Sequence, residues 1–388
     1  MRILWLTPGF AANEHDHNCI PPLQLLVREL LGQGLDLQII ALEYPFRAEP
    51  YVWGYPTPDP SPKREGRRGK LVEYDAVSST SPHPFRGGVG GGVEGGGIIG
   101  AIVYPCDGRN RRYLRWRTLA RARAFAQQLF TANRFDAIQS FWLGPAWALG
   151  EQLAARWKTP HVTTLMGQDV LTANRYLRRL QAGGVSRLVA LTPFHNDQLE
   201  KTTGLRAAHC IPWGVGSVDV AEVLPQERPV DVLGVGSLIP VKNWEQWLRV
   251  LHLVARVRPG LRAELIGSGP EAGRLRVMAQ QLGLTQQVHF AGEIPRPQVL
   301  ARLRESRVLL HTSRFESFGM VVAEAVANGC RVVGTPVGAA PELGVCAGTD
   351  TGLAELLLQA LEAPVLTVPP EILRIAATAE AYLRLYKR

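Results

Sequence analysis

The chain has 388 residues, 46% of them hydrophobic, with a net charge of +9. That length exceeds what one ordinary core supports, so two domains of roughly 200 residues or somewhat fewer are expected. Five scattered cysteines without a CxxC pair argue against a disulfide framework and a zinc site, and fit reduced thiols in a cytoplasm.

The N-terminal MRILWLTPGF carries one arginine and then a four-residue apolar run, so RILWLT reads as a first strand and not as a signal peptide. PPLQLLVRELLGQG follows as an amphipathic helix closed by glycine, and LDLQIIALEY as a second strand. From about 55 to 100 the rhythm stops. PTPDPSPKREGRRGK and FRGGVGGGVEGGGIIG are too poor in apolar residues to offset the entropy of ordering, so a disordered surface insertion is expected there. The flanks, EPYVWG and AIVYPC, read as strand edges able to neighbour each other.

RNRRYLRWRTLARAR (109–123) concentrates arginine around Trp116 and Leu119. It reads either as a solvated helix face or as a peripheral contact with anionic membrane or a phosphorylated acceptor; no motif of nucleic-acid recognition accompanies it. RFDAIQSFW, TPHVTTLMGQD, VSRLVALTPF and AHCIPWGV then each place an apolar strand after a helical stretch, the signature of βαβ units and a parallel sheet. Pro212, Gly214 and Gly216 punctuate a linker, and the alternation restarts at RPVDVLGVGSLI. It continues through seven further alternating segments to CRVVGT, and the chain closes on a helix near 370–388. The expectation is an α/β protein of two doubly wound parallel-sheet domains, 1–213 and 214–368, with 369–388 returning to the first. No run approaches the ~18 apolar residues of a membrane span, so a cytoplasmic protein is expected.

RFESFGMVVAEAVANGC (314–330) reads as the end of a strand, a tight loop and a helix. Ligands of doubly wound sheets bind at the carboxyl ends of strands, and a helix N-terminus there favours an anion, typically a phosphate. Glu316 stands before that helix and Glu324 within it. A carboxylate accepts two hydrogen bonds and suits vicinal sugar hydroxyls, so one glutamate on each side of a diphosphate is what a nucleotide sugar needs.

At this point the sequence resembles the retaining nucleotide-sugar glycosyltransferases of glycosyltransferase family 4, which have the GT-B fold of two Rossmann-like domains facing a cleft. The family's E-x7-E motif is matched by Glu316 to Glu324. The resemblance extends over VGSLIPVKNW, ELIGSGP, VHFAG, EAVANGCRVVGTPVGAAPEL and the hinge-like IPWGV, and more loosely over WLTPGF and TLMGQDV. It implies a glycosyltransferase that moves a sugar from a nucleotide-sugar donor to a glycan, lipid-linked or small-molecule acceptor. Cell-surface polysaccharide or glycolipid synthesis is its expected setting. The resemblance also implies no metal and no cofactor besides the donor, with the leaving diphosphate itself taking the acceptor proton.

Position by position, Lys242 would bind the diphosphate and Glu316 the transferred sugar, while Glu324 would take the ribose hydroxyls. Ser317, Phe318, Gly319, Met320 and Val321 would line the donor at the helix start. Gly267 and Gly269 would pass close to the nucleotide, and Ile294 would border the base. Ser237 stands where the family usually has an arginine, so Arg314 or a first-domain arginine would have to substitute. On the acceptor side the resemblance places Gly9, Phe10, Gly167 and Asp169, with Met166 where the family often has histidine. Glu14, His15, Asp16 and His17 are adjacent along the chain and are expected to touch acceptor rather than metal. Two other readings stay open: a nucleotide-sugar epimerase on the same fold, and a non-catalytic nucleotide-sugar-binding relative.

Overall fold

The computed structural model describes residues 1–13, 16, 19–47, 49–54, 100–109, 111–181, 186–216, 219–220, 224–366 and 374–387. The insertion expected over 55–100 lies outside the described residues except for Gly100, as do Glu14, His15 and His17.

The first sheet holds β1 (Arg2–Gly9), β2 (Asp36–Tyr44), β3 (Tyr51–Trp53), β4 (Ala101–Pro105), β5 (Ala137–Phe141), β6 (His161–Thr164), β7 (Ser186–Ala190) and β8 (His209–Cys210). Their order is β3-β4-β2-β1-β5-β6-β7-β8. Among the described strands only β3 pairs antiparallel, with Tyr51 opposite Val103 and Trp53 opposite Ala101. The rest is parallel because both faces are covered: Ile3, Leu4, Trp5 and Leu6 of β1 all have no exposed surface. The covering helices are α1 (Pro21–Gly32), α2 (Arg115–Ala132), α3 (Pro145–Trp157), α4 (Leu177–Gln181) and α5 (Pro193–Thr203). In α1, Leu23, Leu26, Val27 and Leu30 recur at helical spacing on the buried face, and proline occupies the helix start, where its missing N–H costs nothing.

The second sheet holds β9 (Val230–Val235), β10 (Ala263–Ile266), β11 (Val288–Gly292), β12 (Ser306–His311), β13 (Arg331–Gly334) and β14 (Val345–Cys346), in the order β11-β10-β9-β12-β13-β14. Around it lie α6 (Trp244–Val257), α7 (Ala272–Gln281), α8 (Arg296–Arg304), α9 (Met320–Ala327), α10 (Ala340–Leu343) and α11 (Asp350–Glu362). The inner stripe of α6, Trp247, Leu248, Leu251 and Val254, has no exposed surface. At roughly 1.5–3 kcal/mol per large apolar side chain, that stripe is what fixes α6 on the sheet.

The last helix, α12 (Ile375–Tyr386), packs against α1. Tyr382 and Thr164 share a hydrogen bond of 2.7 Å, and the Gly214 amide donates to Thr378 Oγ1 at 2.8 Å. Ile375 N donates to Val215 O at 3.1 Å, so α12 is fastened to the segment that joins the two sheets. No described helix is long and apolar enough to cross a membrane.

Each sheet has one place where neighbouring crossovers diverge. In the first it lies between β1 and β5, and in the second between β9 and β12. These are the crevices in which doubly wound sheets take ligands.

Candidate functional site

In the second sheet, the loop after β9 ends in a 3-10 turn, Pro240–Lys242, and the loop after β12 runs from Thr312 to Gly319. The Arg314 amide donates to Val241 O at 2.8 Å, and Thr312 Oγ1 donates to Lys242 O at 3.2 Å, so the two loops are laced together. Across this lacing Lys242 Nζ donates to Glu316 Oε1 at 2.5 Å, and Ser313 Oγ donates to the same oxygen at 2.9 Å. His311 Nε2 lies 3.4 Å away, near enough for charge attraction but not aligned as a good hydrogen bond. Burial on its own would push the Glu316 carboxyl up. The neighbouring His311 and Lys242 outweigh it and hold the group at about 2, so Glu316 is ionised at neutral pH. An ammonium has three N–H donors, so Lys242 can hold Glu316 with one and offer two to an anion.

That anion's place is set by α9. Gly319 precedes it with φ 85°, a conformation glycine adopts without strain, and no side chain caps the helix. The helix starts beside Glu316, since a Cβ on Gly319 would stand 3.6 Å from Glu316 Cγ, and the first-turn N–H groups of such a start, with its positive end, favour an anion. Phe318 is buried and its carbonyl accepts from Ala339 N at 2.7 Å, which fixes the loop from behind.

Glu324, 7% exposed, does not stand alone. Arg296 Nη2 and Nε reach its Oε1 at 2.6 and 3.2 Å, while Nη1 and Nη2 hold Asp219 at 2.8 and 2.9 Å. Burial raises the Glu324 carboxyl and Arg296 opposes the rise.

The glycines after β9 and β10 bring the loops at this end of the sheet into backbone contact. A Cβ on Gly267 would stand 1.9 Å from Gly236 O, and one on Gly269 would stand 2.5 Å from Leu238 O. Their first duty is therefore to let the β9 loop and the β10 loop touch. Ser237 is exposed, and its carbonyl accepts from Trp244 Nε1 at 2.9 Å. The Arg314 guanidinium is exposed and bonds Asn243 Oδ1 at 3.1 Å. Ile294 follows β11 and is partly buried against the core below α8.

On the first-domain side, Phe10 and Asp169 are held by contacts within the protein. Phe10 is 1% exposed and lies edge-on to Trp53 at 5.2 Å, so its side chain belongs to the core and not to an acceptor surface. Asp169 is partly buried. Its carboxylate accepts from the amides of Leu143 and Gly167, both at 2.8 Å, so it ties the loops after β5 and β6 together. Burial, which outweighs these amides, raises it to about 6. Gly9 closes against Tyr44, and Gly167 O takes a 3.0 Å contact from His195 Nε2. Asp16 accepts from Ala12 N at 3.0 Å and Tyr44 OH at 2.6 Å, which organises the loop it belongs to.

The two halves meet at the Glu316 loop. Ser317 Oγ donates to Met166 O at 2.7 Å, and Thr192 Oγ1 donates to Ser317 O at 2.9 Å. Phe315 packs against Phe194 at 5.8 Å and His195 at 6.2 Å, both on α5. Glu316 is thus flanked on either side by residues that contact the other domain.

Several members of this site were not singled out from the sequence. His311 ends β12 and Ser313 lies in the loop after it, so the rule that ligands bind at the carboxyl ends of strands could have found both. Trp142, just after β5 and beside Gly167, has φ 62°, a strained value for a bulky residue, and its amide donates to Thr164 O at 3.0 Å. Arg296 and Asp219, 77 positions apart, left no trace of their pairing.

Residues 219–353 match the model of the family described as Glycosyl transferases group 1. The chain is 34% identical over 122 residues to the D-inositol 3-phosphate glycosyltransferase of Acidothermus cellulolyticus, a match that covers 28% of this chain and 27% of that relative. It spans between 22% and 66% of the length of such curated relatives. Among solved structures, the sucrose-phosphate synthase of Thermosynechococcus elongatus superposes with a TM-score of 0.66 at 16% identity, over 100% of this chain and 98% of that one. An Anabaena protein solved with UDP and glucose superposes with a TM-score of 0.58 at 17% identity, over 100% and 97%. The chain has the GT-B fold, and its residues 219–353 are similar to the group 1 glycosyl transferases.

Proposed function

We propose that the protein is a retaining glycosyltransferase of family 4 that moves a sugar from a nucleotide-sugar donor to a glycan, lipid-linked or small-molecule acceptor. The observation that carries this reading is the Lys242–Glu316 pair at 2.5 Å, set at the switch point of the second sheet beside the uncapped start of α9. A cation, a helix N-terminus and an ionised carboxylate in one crevice suit a diphosphate joined to a sugar.

The proposed step breaks the bond between the sugar's anomeric carbon and the diphosphate oxygen. The electron pair leaves with the diphosphate, whose growing charge Lys242 and the first-turn amides of α9 stabilise. The acceptor hydroxyl forms the new bond on the same face, and its proton passes to the departing phosphate oxygen. Glu316, ionised and held by three neighbours, positions the transferred sugar through its hydroxyls. These residues supply the charge, so the reaction is proposed to need no metal. The contacts of Ser317 and Phe315 across the domains hold the Glu316 loop in place.

The setting proposed is cell-surface polysaccharide or glycolipid synthesis at the inner face of the cytoplasmic membrane. It is supported by the α2 region, where Trp116 is 71% and Tyr113 65% exposed among arginines.

The test is product analysis with radiolabelled UDP-, GDP- and ADP-sugars, with and without a cell-envelope lipid extract as acceptor. Label appearing in the extract only with wild-type protein, and not with Glu316→Gln, supports transfer. An altered nucleotide sugar without acceptor would identify an epimerase, and no reaction of any kind a binding protein.

A further inference from the structure

We infer that Arg296 is the positioning residue of the ribose end of the donor site, presenting Glu324 to the sugar hydroxyls; this rests on the reading of Glu324 as the ribose carboxylate.

The geometry is that of a closed ring. Arg296 opens α8, and its guanidinium grips both oxygens of Asp219 at 2.8 and 2.9 Å and one oxygen of Glu324 at 2.6 and 3.2 Å. Asp219 is held in turn: its carbonyl accepts from Asn328 Nδ2 at 2.9 Å, and the same nitrogen donates to Glu324 O at 2.8 Å. The ring therefore links the start of α8, both ends of the last turn of α9, and the residue that follows the interdomain segment.

Two carboxylates, 2% and 7% exposed, would repel each other and shed a charge if left together. A single planar guanidinium satisfies both, since its donors are arranged as a fork. The consequence lies in which oxygen it uses. Arg296 takes Oε1 of Glu324, and among the described residues no hydrogen bond reaches Oε2. The carboxylate is thus pinned at one oxygen and leaves the other with its lone pairs, the arrangement that a ribose hydroxyl needs from an acceptor. Lysine would supply the charge but not the orientation, because an ammonium cannot span two carboxylates with parallel bonds.

The test separates this role from mere support of the fold. Calorimetry with UDP, GDP and ADP first identifies the bound base. The ribonucleoside diphosphate and its 2′-deoxy and 3′-deoxy forms are then compared on wild type, Arg296→Lys and Lys242→Ala. Wild type is expected to bind the ribo form at least tenfold more tightly than one of the deoxy forms. Arg296→Lys should bring that ratio near one, whereas Lys242→Ala should weaken all forms alike and keep the ratio. Arg296→Ala leaves two buried carboxylates facing each other. The double variant Arg296→Met with Asp219→Asn removes that repulsion and should lose the preference in the same way. A ribo preference retained in both Arg296 variants, or absent from wild type, would overturn the inference alone. No binding of any nucleotide by wild type would overturn the donor-site reading beneath it.

Discussion

Ser317 Oγ donates to Met166 O at 2.7 Å across the two domains, one residue away from the ionised Glu316. The carbonyl of Ser317 is held at the same time by Thr192 Oγ1, the N-cap of α5. Contacts between the domains and the chemistry of the proposed site thus share one loop. Whatever separates the domains also frees the backbone that carries Glu316.

Ser317→Ala removes the side-chain half of this clasp. A neutral hydrogen bond contributes about 1 kcal/mol net, so the folded state should survive. The predicted effect is local: faster amide exchange at 313–319 and at 164–167, with global stability lowered by about 1 kcal/mol. Exchange measured by mass spectrometry checks it. Unchanged protection of both segments would show that the clasp does not couple them.

Glu316 also gives the protein a dependence on acid. Its folded pKa of about 2 lies below the ordinary 4.5, so its stabilising contribution is complete above about 4.5 and is lost as pH falls from there toward 2. A shift of this size corresponds to about 3 kcal/mol. Urea unfolding followed from pH 5 to pH 2.5 should show a fall in stability that is smaller in Glu316→Gln by up to that amount. Equal slopes in the two proteins would mean that Lys242 and His311 do not hold the carboxylate as the geometry indicates.

His195 works over a different window. Burial lowers it to about 4, against the hydrogen bond to Gly167 O that favours the charged form. With Nε2–H donating to Gly167 O, the other ring nitrogen, Nδ1, is buried and has no hydrogen-bond partner among the described residues, as in a neutral imidazole. The unfolded chain, with an ordinary pKa near 6.5, binds the proton first. Stability should therefore be complete above about 6.5 and decline as pH falls toward 4. His195→Gln, which keeps a donor for Gly167 O, should remove this part of the decline, measured by urea unfolding between pH 4 and pH 7.

Gly267 ties the fold directly to the site. It has φ 144°, and its ideal Cβ would collide with Gly236 O, in the loop that leads to Lys242. Gly267→Ala should displace that loop, lower thermal stability by several degrees and weaken nucleotide binding. Gly273 in α7, where a Cβ meets nothing within 4 Å among the described residues, provides the matched control: Gly273→Ala should leave nucleotide binding unchanged and should not lower stability, since alanine favours a helix over glycine.

Much of this arrangement was legible in the residues themselves. The alternation of apolar runs marks the two parallel sheets because strands covered on both faces must be apolar throughout, as Ile3 to Leu6 are. Lys242 and Glu316 could be placed together because each follows a strand, and β9 and β12 are neighbours at the switch point. Side-chain direction was not legible. Phe10 and Asp169 follow strands just as Lys242 does, yet one turns into the core and the other spends its oxygens on backbone amides. Nothing local distinguishes these fates, since each depends on a partner far away in the chain, Trp53 for Phe10 and Leu143 for Asp169. Arg296 is the extreme case. It reads as one charged residue at a helix start, and only the fold brings Asp219 and Glu324 to it.

The measurement that bears most directly on the proposed donor site is calorimetric titration with UDP, GDP and ADP on wild type and on Lys242→Ala. The account predicts tight binding of one nucleotide, weakened tenfold or more, about 1.4 kcal/mol, by the substitution. Binding that Lys242→Ala leaves unchanged, or no binding of any of the three, would contradict it.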